Sequence, residues 1–362
     1  MSDWEWSPDE RGRLASFLEE RGLTAGEVTT RRIGDGHSNL TYLVSDGEGR
    51  QVVVRRPPPP PTPPGAHDML REARLIGALA DTPVPVADLL ATAEADEVID
   101  VHFYVMSFAA GPVVTTETPT PIDTPDRRRR VGETLIDTLA DLHAVDYAAA
   151  GLSDVGKPEG FNARHLKRMA RLVADERGDP PPHFAVIDSW LQAHVPPESG
   201  AAIVHNDFRI GNIVLSPDRP GEIAAVLDWE LATIGDPLFD LGYFLSSVPD
   251  PDSPLTPTEE LGTAMLEEGY PTRKELADRY AERTGADLTD LGWYTALALW
   301  KLAVLYEYGR RRARRGVGDP YYLDQRRVQS FLEDAHRSAG LPPPPPAEPE
   351  ESVEPVRTGE AR

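Results

Sequence analysis

The chain has 362 residues, 40% of them hydrophobic, so it is long enough to bury a sizeable core as one large domain or two moderate ones. It has no cysteine, which excludes disulfides, thiolate metal sites and cysteine nucleophiles. A formal net charge of −23 disfavours nucleic acid as a partner. The first residues have neither the basic start nor the apolar segment of a signal peptide, and we expect a cytoplasmic protein.

The N-terminal third predicts one helix followed by a small β-rich region. Ser7, Pro8 and Glu10 form a capping-box pattern, which starts an amphipathic helix that ends near Gly22. Short runs of β-forming residues between glycine turns then predict an antiparallel sheet that carries one helix. We expect the strands at 27–33, 39–45, 51–55, 87–93 and 101–108, and the helix at 66–80. The proline tract 57–64 fits neither a helix nor a central strand, so it predicts an extended spacer.

The pattern after this β-rich region is mostly helical. Thr124 and Pro125 start a helix. Its inward face is predicted to carry Val131, Leu135, Leu139 and Leu142. Further helices are expected at 161–177, 183–194, 257–269, 272–284, 288–315 and 321–338. Because Lys301 interrupts the apolar run 291–306, that run predicts a buried core helix and not a membrane span. From Pro342 onward the chain is rich in proline and glutamate, which predicts a disordered tail.

The most informative stretch is His205-Asn206-Asp207-Phe208-Arg209-Ile210-Gly211-Asn212, which has the spacing H-x-D-x-x-x-x-N. An apolar run follows and ends at Asp228, sixteen residues after Asn212. A carboxylate on a short loop can accept the proton of a hydroxyl group, and an amide with a second carboxylate offers hard oxygen ligands for Mg²⁺. We therefore expect segment 203–228 to have strand character and to perform phosphoryl transfer.

Three segments together resemble the aminoglycoside phosphotransferase family: 204–212, Val226-Leu227-Asp228-Trp229-Glu230 and Gly235-Asp236-Pro237-Leu238-Phe239-Asp240-Leu241. Within that family the sequence is most similar to the branch that includes the kinase domain of acyl-CoA dehydrogenase fusion proteins. The resemblance covers about residues 30–340. It implies an α+β, two-lobed protein-kinase-like fold, with a small antiparallel β N-lobe and a larger helical C-lobe. It also implies ATP and Mg²⁺ as cofactors and a small-molecule hydroxyl acceptor. No protein partner can be read from the sequence.

The resemblance implies a role for each residue of the motif. Asp207 would be the catalytic carboxylate that positions or deprotonates the acceptor hydroxyl. Asn212 and Asp228 would hold Mg²⁺. His205 would brace the loop by hydrogen bonding and not act in acid–base chemistry. Two further carboxylates would anchor the loop through its backbone N–H groups, or would be only a helix cap and a surface charge: Asp236 and Asp240.

The N-lobe is expected to bind the nucleotide. Small residues in a turn after the first strand would close over its phosphates. The predicted contacts in this turn are Gly34, Gly36, Ser38 and Asn39. The strand near 101–108 would enter the linker between the lobes, where backbone groups can pair with an adenine edge. The predicted contacts there are Ser107 and Phe108, with Met106 beside the base.

No lysine precedes Lys157, although kinases carry a phosphate-pairing lysine on the third strand. Arg55 fits that position by strand register and would clamp phosphate in its place, oriented by Glu72 on the following helix. The chain then divides into an N-terminal helix, a phosphate-binding N-lobe, a C-lobe with the catalytic loop and acceptor site, and a tail. The predicted bounds of these regions are 1–24, 25–107, 108–340 and 341–362.

The identity of the acceptor stays open. Five arginines within Arg310-Arg311-Arg312-Ala313-Arg314-Arg315 have two interpretations, as favourable cations at a helix C-terminus or as a patch for an anionic acceptor. The resembling branch implies a hydroxy acid or a hydroxyacyl thioester. One alternative is an aminoglycoside or other antibiotic kinase, and another is a catalytically silent nucleotide-binding scaffold.

Overall fold

The computed structural model describes residues 6–34, 39–58 and 67–346. Its first helix, α1 (Pro8–Glu20), begins with the predicted capping box. The Glu10 N–H donates to the Ser7 hydroxyl at 3.2 Å, and the Ser7 N–H donates to the Glu10 carboxylate at 2.8 Å. These two bonds satisfy two backbone donors at the helix N-terminus, which explains why the helix begins here.

Five antiparallel strands follow, as the sequence predicts. They are β1 (Val28–Arg32), β2 (Leu40–Asp46), β3 (Gln51–Arg56), β4 (Leu89–Ala93) and β5 (Phe103–Ser107), in the sheet order β1-β2-β3-β5-β4. The predicted single helix, α2 (Met69–Leu79), lies between β3 and β4 in the chain and packs against β4 and β5. Most of the proline tract 57–64 lies outside the described residues.

The two faces of this sheet are covered by different parts of the chain. On one face α1 buries Leu14, Phe17 and Leu18 in a separate core. The strand residues in that core are Leu40, Tyr42, Val44, Val52, Val54, Ala93, Phe103 and Val105. Their sequence neighbours point to the other face, into the core shared with α2 and the rest of the molecule: Leu43, Val53, Tyr104 and Met106. Because side chains alternate along a strand, the sheet is buried on both faces.

The remainder of the chain is a larger, mostly helical lobe. Its helices are α3 (Pro125–His143), α4 (Phe161–Val173), α5 (Ala185–Ala193), α6 (Pro237–Ser247), α7 (Pro257–Glu260), α8 (Arg273–Thr284), α9 (Leu291–Arg314) and α10 (Gln325–Ser338). Two short antiparallel pairs carry the motif region. They join β6 (Ala202–Val204) to β9 (Thr233–Gly235) and β7 (Ile213–Leu215) to β8 (Ile223–Val226).

Helix α9 runs through the centre of this lobe, where α4, α6 and α10 pack against it. Most of its residues from Trp293 to Val304 are buried, which confirms the predicted core helix. A helix that is buried on all sides lacks the polar stripe of a surface helix. Among the described residues, no helix combines the length and the apolar character needed to cross a membrane.

Three predicted helices have a boundary that is wrong by four residues or more. The helix predicted over 161–177 ends at Val173, because Ala174 is extended, with φ −61° and ψ 148°. The helix predicted over 257–269 is α7 followed by a separate 3₁₀ turn at Thr263–Leu266, because Gly262 leaves the helical conformation, with φ −128° and ψ 23°. The helix predicted over 321–338 begins only at Gln325, where the Asp324 side chain caps it. Residues Pro320–Leu323 form their own 3₁₀ turn. The described beginning of the tail, 341–346, has no regular secondary structure.

Candidate active site

The loop between β6 and β7 carries the predicted catalytic motif. Strands β7 and β8 pair with Ile213 opposite Val226, and the Leu227 N–H donates to the Asn212 carbonyl at 2.8 Å. Asp228 follows directly, with a left-handed φ of 68°. The pairing of β7 with β8 therefore brings Asn212 and Asp228 to the same end of one ladder.

Two neutral donors hold the Asp207 carboxylate. The Tyr243 hydroxyl donates to Oδ1 at 2.7 Å, and the Asn212 amide donates to Oδ2 at 2.8 Å. Burial and the nearby charge of Asp207 raise the pKa of Tyr243 well above its usual value. The phenol therefore stays protonated and donates a hydrogen bond to the carboxylate. The Asp207 side chain remains 20% exposed, and it is therefore both oriented and accessible.

Asp240 on α6 holds the backbone of the loop. Its fully buried carboxylate accepts the His205 N–H at 2.5 Å and the Asn206 N–H at 2.7 Å. Burial alone would raise the pKa of Asp240, but the hydrogen bond and charge of His143 and the bonds from the loop lower it overall. These bonds fix Asn206 in a left-handed conformation, with φ 65°, immediately before Asp207.

Both ring nitrogens of His205 are engaged. Its Nδ1 accepts the Asp207 N–H at 3.3 Å, and its Nε2 lies 2.9 Å from the Leu227 carbonyl. Because a backbone N–H only donates and a carbonyl only accepts, these partners place the imidazole proton on Nε2 of a neutral ring. The ring also packs against Trp229, with 4.8 Å between centroids. His205 therefore links the loop to the segment that leads into Asp228.

Asp236, predicted as a second anchor of the loop, forms its hydrogen bonds with residues outside the loop. Its carboxylate accepts hydrogen bonds from Asn162 at 2.9 Å, from the Tyr294 hydroxyl at 2.6 Å and from the Ser199 N–H at 3.1 Å. It also caps the N-terminus of α6. Asp236 therefore ties the start of α6 to α4 and α9, and of the two predicted anchors it is Asp240 that contacts the loop backbone.

Arg55 on β3 lies among three carboxylates. Its Nη2 is 2.5 Å from Asp228 Oδ1 and 3.7 Å from Glu230 Oε2, and its Nε is 3.2 Å from Glu72 Oε1. Burial would lower the pKa of Arg55, but these carboxylates raise it above its usual value. Burial raises the pKa of Glu72 to about 7, and the charge of Arg55 opposes that rise. Arg55 and Glu72 thus form a buried pair, and the same guanidinium reaches Asp228.

The predicted phosphate-binding turn is described only in part, since Gly36 and Ser38 lie outside the described residues. Gly34 has φ 75°, a left-handed conformation that glycine adopts without a steric penalty. Asn39 is buried, and its Nδ2 donates to Glu230 Oε2 at 2.8 Å while its Oδ1 lies 2.8 Å from His67 Nδ1. Both ends of the Asn39 amide group are therefore bonded within the protein.

The predicted adenine contacts lie at the end of β5. Met106 is buried, with 7% of its surface exposed, and pairs with Val53 on β3. The Ser107 N–H donates to the Asp88 carbonyl and the Ser107 hydroxyl accepts the Asp88 N–H, each at 2.9 Å. The Ser107 N–H is therefore already bonded within the protein, and the Phe108 side chain is exposed.

The arginine run at the end of α9 is partly neutralised on the helix itself. Arg310 Nε and Arg311 Nε lie 2.7 Å and 2.9 Å from the Glu307 carboxylate, and Arg310 is buried. Burial would raise the pKa of Glu307, but these two guanidinium groups lower it overall. The remaining three arginines are exposed near the helix C-terminus, where the helix dipole favours cations: Arg312, Arg314 and Arg315.

Asn212 and Asp228 are the two predicted metal ligands, and their side chains offer oxygen atoms that could hold a cation. The Asn212 Nδ2 donates to the Asp207 carbonyl and to Asp207 Oδ2, which leaves the amide Oδ1 for a cation. Within the ranges the structure describes, no group of three or more His, Cys, Asp or Glu side chains is arranged to hold a metal ion. One carboxylate and one amide oxygen suit Mg²⁺ that is also bound by nucleotide phosphates and water.

Comparison with known proteins gives a family match over residues 29–293, to the phosphotransferase enzyme family APH. The chain belongs to this family. The matched range includes almost all of the five-stranded sheet and the C-lobe as far as the first turn of α9, and with them Arg55, Asp207, Asn212 and Asp228. The predicted family is thereby confirmed.

Known relatives show which branch of the APH family this chain resembles. Acyl-CoA dehydrogenase family member 10 of Mus musculus is 28% identical over 294 residues, which are 81% of this chain and 27% of the relative. The chain spans less than half the length of the acyl-CoA dehydrogenase relatives it matches. The resemblance to the branch of acyl-CoA dehydrogenase fusion proteins is therefore confirmed.

Solved structures confirm the two-lobed kinase-like fold of the APH-family chain. The crystal structure of a "putative aminoglycoside phosphotransferase" from Ralstonia eutropha JMP134 has a TM-score of 0.75 at 29% identity, and covers 91% of this chain and 98% of that one. A thermostable mutant of aminoglycoside phosphotransferase APH(4)-Ia, in a ternary complex with AMP-PNP and hygromycin B, has a TM-score of 0.58 at 17% identity over 90% of this chain and 98% of that one. The second likeness concerns the fold alone.

Sequence reasoning missed three side chains around Asp207 in this APH-family site. Arg209 lies inside the motif, and its Nε is 3.6 Å from Asp207 Oδ1. Tyr243 lies on α6, which periodicity did not predict because nearly every residue of that helix is buried. In the sequence, Lys301 is a lone cation that interrupts an apolar run, and this position is the one signal that it has a buried polar partner.

Proposed function

We propose that this protein transfers the γ-phosphoryl group of ATP, bound as its Mg²⁺ complex, to a hydroxyl group of a small molecule. The observation that carries the proposal is the arrangement of four residues: Asn212 bonds to Asp207, Asp228 lies at the same ladder end as Asn212, and Arg55 contacts Asp228. Phosphoryl transfer needs a group for the hydroxyl proton, ligands for the metal and positive charge near the phosphates. These four residues supply a candidate for each requirement.

Asp207 would act on the acceptor. Its carboxylate would accept the hydroxyl proton while the hydroxyl oxygen bonds to the γ-phosphorus and the bond between that phosphorus and the ADP oxygen breaks. Tyr243 and Asn212 each donate one hydrogen bond to the carboxylate, so its direction is set before the acceptor arrives. A positioned group of this kind contributes about 10²- to 10⁴-fold in rate.

Asp228 and Asn212 would hold Mg²⁺, which supplies positive charge to the nucleotide phosphates when bound. Arg55 shares the Asp228 carboxylate and would add a second positive charge on the N-lobe side. A guanidinium binds phosphate through a planar pair of N–H groups and does not lose its charge. This chemistry allows a phosphate clamp in an N-lobe without lysine.

The acceptor we propose is a hydroxy acid or a hydroxyacyl thioester. The acyl-CoA dehydrogenase relatives support this class, and so does Arg209 beside Asp207. A cation at this distance from the reacting carboxylate attracts an acceptor with a carboxylate or phosphate group and repels a polycationic one. The aminoglycoside neighbours keep an antibiotic kinase as the second candidate. The complete cluster of Asp207, Asn212 and Asp228 disfavours a silent scaffold.

An acceptor panel tests the proposed function. Purified protein with Mg²⁺ and ATP is incubated with hydroxy acids, hydroxyacyl thioesters, aminoglycosides and sugars, and ADP release and ³¹P NMR detect phosphate esters. We expect ester formation on the acyl compounds. Transfer only to aminoglycosides would reject the acyl acceptor and keep the phosphotransferase. Nucleotide binding with no transfer to any acceptor would favour the scaffold.

Replacing Arg209 tests the acceptor class. We expect Arg209→Gln to raise the KM of an anionic acceptor about tenfold, because a charged hydrogen bond contributes about 1.5–3 kcal/mol. The KM for ATP should change little, and the difference from wild type should shrink at high salt, which screens charges. Arg219→Gln is the matched control, since Arg219 is an exposed arginine paired with Glu222 in the same lobe. An unchanged acceptor KM in Arg209→Gln would reject the role.

Replacing Asp228 tests the metal site. We expect Asp228→Ala to lose at least about tenfold in affinity for Mg²⁺–nucleotide, because one of the two protein ligands is gone and the other is a neutral amide. Isothermal titration calorimetry with AMP-PNP, with and without Mg²⁺, measures this loss. Asp218→Ala removes an exposed carboxylate from the nearby turn and serves as the control. Equal Mg²⁺-dependent affinity in wild type and Asp228→Ala would contradict the assignment.

A further inference from the structure

Lys301 is a cation buried in the middle of helix α9. Only 5% of the residue is exposed, and its Nζ donates to the carbonyl of Asn206 at 3.0 Å. Asn206 has a left-handed φ of 65° and directly precedes Asp207. The helix at the centre of the C-lobe thus contacts the backbone of the catalytic loop, in addition to the two N–H groups that Asp240 holds.

The ammonium group lies between the loop and α6. It is 4.7 Å from the ring centre of Tyr243 and 5.2 Å from that of Phe239, so two aromatic faces cover it. Tyr243 is also the residue whose hydroxyl donates to Asp207 Oδ1. Lys301 therefore contacts both the backbone beside Asp207 and a side chain that orients its carboxylate.

We propose that Lys301 is a positioning residue for the catalytic loop: its ammonium group fixes the Asn206 carbonyl and the Tyr243 ring, and through them the direction of the Asp207 carboxylate. Its effect on turnover rests on the proposed phosphotransferase function. Its effect on the loop does not, because the contacts to Asn206 and Tyr243 exist whatever the acceptor.

The charge of Lys301, and not only its volume, has a role at this position. A long apolar side chain would fill the same space in the core, yet it would leave the Asn206 carbonyl without this donor. Burial lowers the pKa of Lys301 to about 8, while Asp207 and Asp240 oppose that shift. The titratable and charged groups that act on Lys301 come from the loop, α6 and α4: Asp207, Asp240, Tyr243, Arg168 and His165.

Hydrogen exchange of the loop tests the inference without any acceptor. We compare wild type, Lys301→Met and Lys301→Arg by mass spectrometry of peptides that cover 204–212. We expect Lys301→Met to exchange at least about tenfold faster at His205 and Asn206, and Lys301→Arg to stay nearer wild type because it keeps a charged donor. Wild-type exchange in a folded Lys301→Met protein would overturn the proposal.

The wild-type protein provides a second test, which stands even if Lys301→Met fails to fold. The chain has only four lysines, so ¹³C-lysine labelling gives four side-chain signals, and the one lost in Lys301→Arg belongs to Lys301. We expect this signal to titrate near pH 8 and kcat to fall severalfold over the same range, with the KM for ATP constant. A kcat that is unchanged while Lys301 loses its proton would overturn the proposal.

The hydrogen-exchange and turnover measurements together separate this inference from the proposed function. Faster exchange in Lys301→Met with no transfer to any acceptor would keep the positioning role and reject the phosphotransferase. Transfer in wild type with unchanged exchange and kcat in Lys301→Met would keep the phosphotransferase and reject the positioning role.

Discussion

Asp207→Asn is expected to lose about 10²- to 10⁴-fold in kcat and to keep the affinity for Mg²⁺–nucleotide within a few fold. The amide cannot accept the hydroxyl proton. It also turns an N–H group towards one of the two donors that hold the carboxylate, either the Tyr243 hydroxyl or the Asn212 amide. Steady-state kinetics on the acceptor that the panel identifies, together with calorimetry for the nucleotide, measures both quantities.

Tyr243→Phe is the matched control for this experiment. It keeps the carboxylate and the aromatic ring but removes one hydrogen bond to Asp207 Oδ1. We expect a smaller loss of kcat than in Asp207→Asn, because the base remains and only its orientation relaxes. Turnover in Asp207→Asn close to that of wild type would reject Asp207 as the catalytic carboxylate.

Arg55→Met is expected to impair both stability and nucleotide binding. Only 1% of the surface of Glu72 is exposed, so loss of the Arg55 guanidinium leaves a buried carboxylate without its counter-charge. Breaking one partner of a buried ion pair typically costs about 3–5 kcal/mol of the free energy of unfolding. The KM for ATP should rise and kcat should fall, because a positive charge beside Asp228 is gone. Chemical denaturation and steady-state kinetics measure these effects.

The double variant Arg55→Met with Glu72→Gln separates the two effects. Glutamine removes the uncompensated negative charge, so we expect most of the lost stability to return. The KM for ATP should stay as high as in Arg55→Met, since no cation has been restored. Glu72→Gln alone should show a milder rise in the KM for ATP. Recovery of the KM together with stability would mean that Arg55 acts only through folding.

The protonation of Glu72 makes the free energy of unfolding depend on pH. Its pKa of about 7 lies above the usual value of 4.5, so the folded state binds this proton more tightly than the unfolded chain. The stabilisation is therefore fully present below about pH 4.5 and is lost as the pH rises through about 7. Glu72→Gln removes this contribution, so its unfolding free energy, measured by chemical denaturation, should fall less between about pH 4.5 and 7 than that of wild type.

The sequence by itself determined the β-rich region, most of the helices and the central motif. Capping at Ser7, alternation in β2 and β3 and the inward face of α3 are local patterns, and neighbouring residues are enough to produce them. The motif 205–212 and Asp228 are close along the chain, so one strand pairing explains their meeting. Helix α6 was missed because it is buried on nearly every side and so has no period for the sequence to show.

Only the tertiary structure decided which distant side chains complete the site. Arg55 and Asp228 are 173 positions apart, Lys301 and Asn206 are 95 apart, and Tyr243 and Asp207 are 36 apart. The spacing of residue types along the chain carries no information about such pairs, because they meet only when the β lobe and helices α6 and α9 pack around one loop. The motif thus identifies the candidate reacting residues, and long-range packing determines the charges and hydrogen bonds that set their pKa values and orientations.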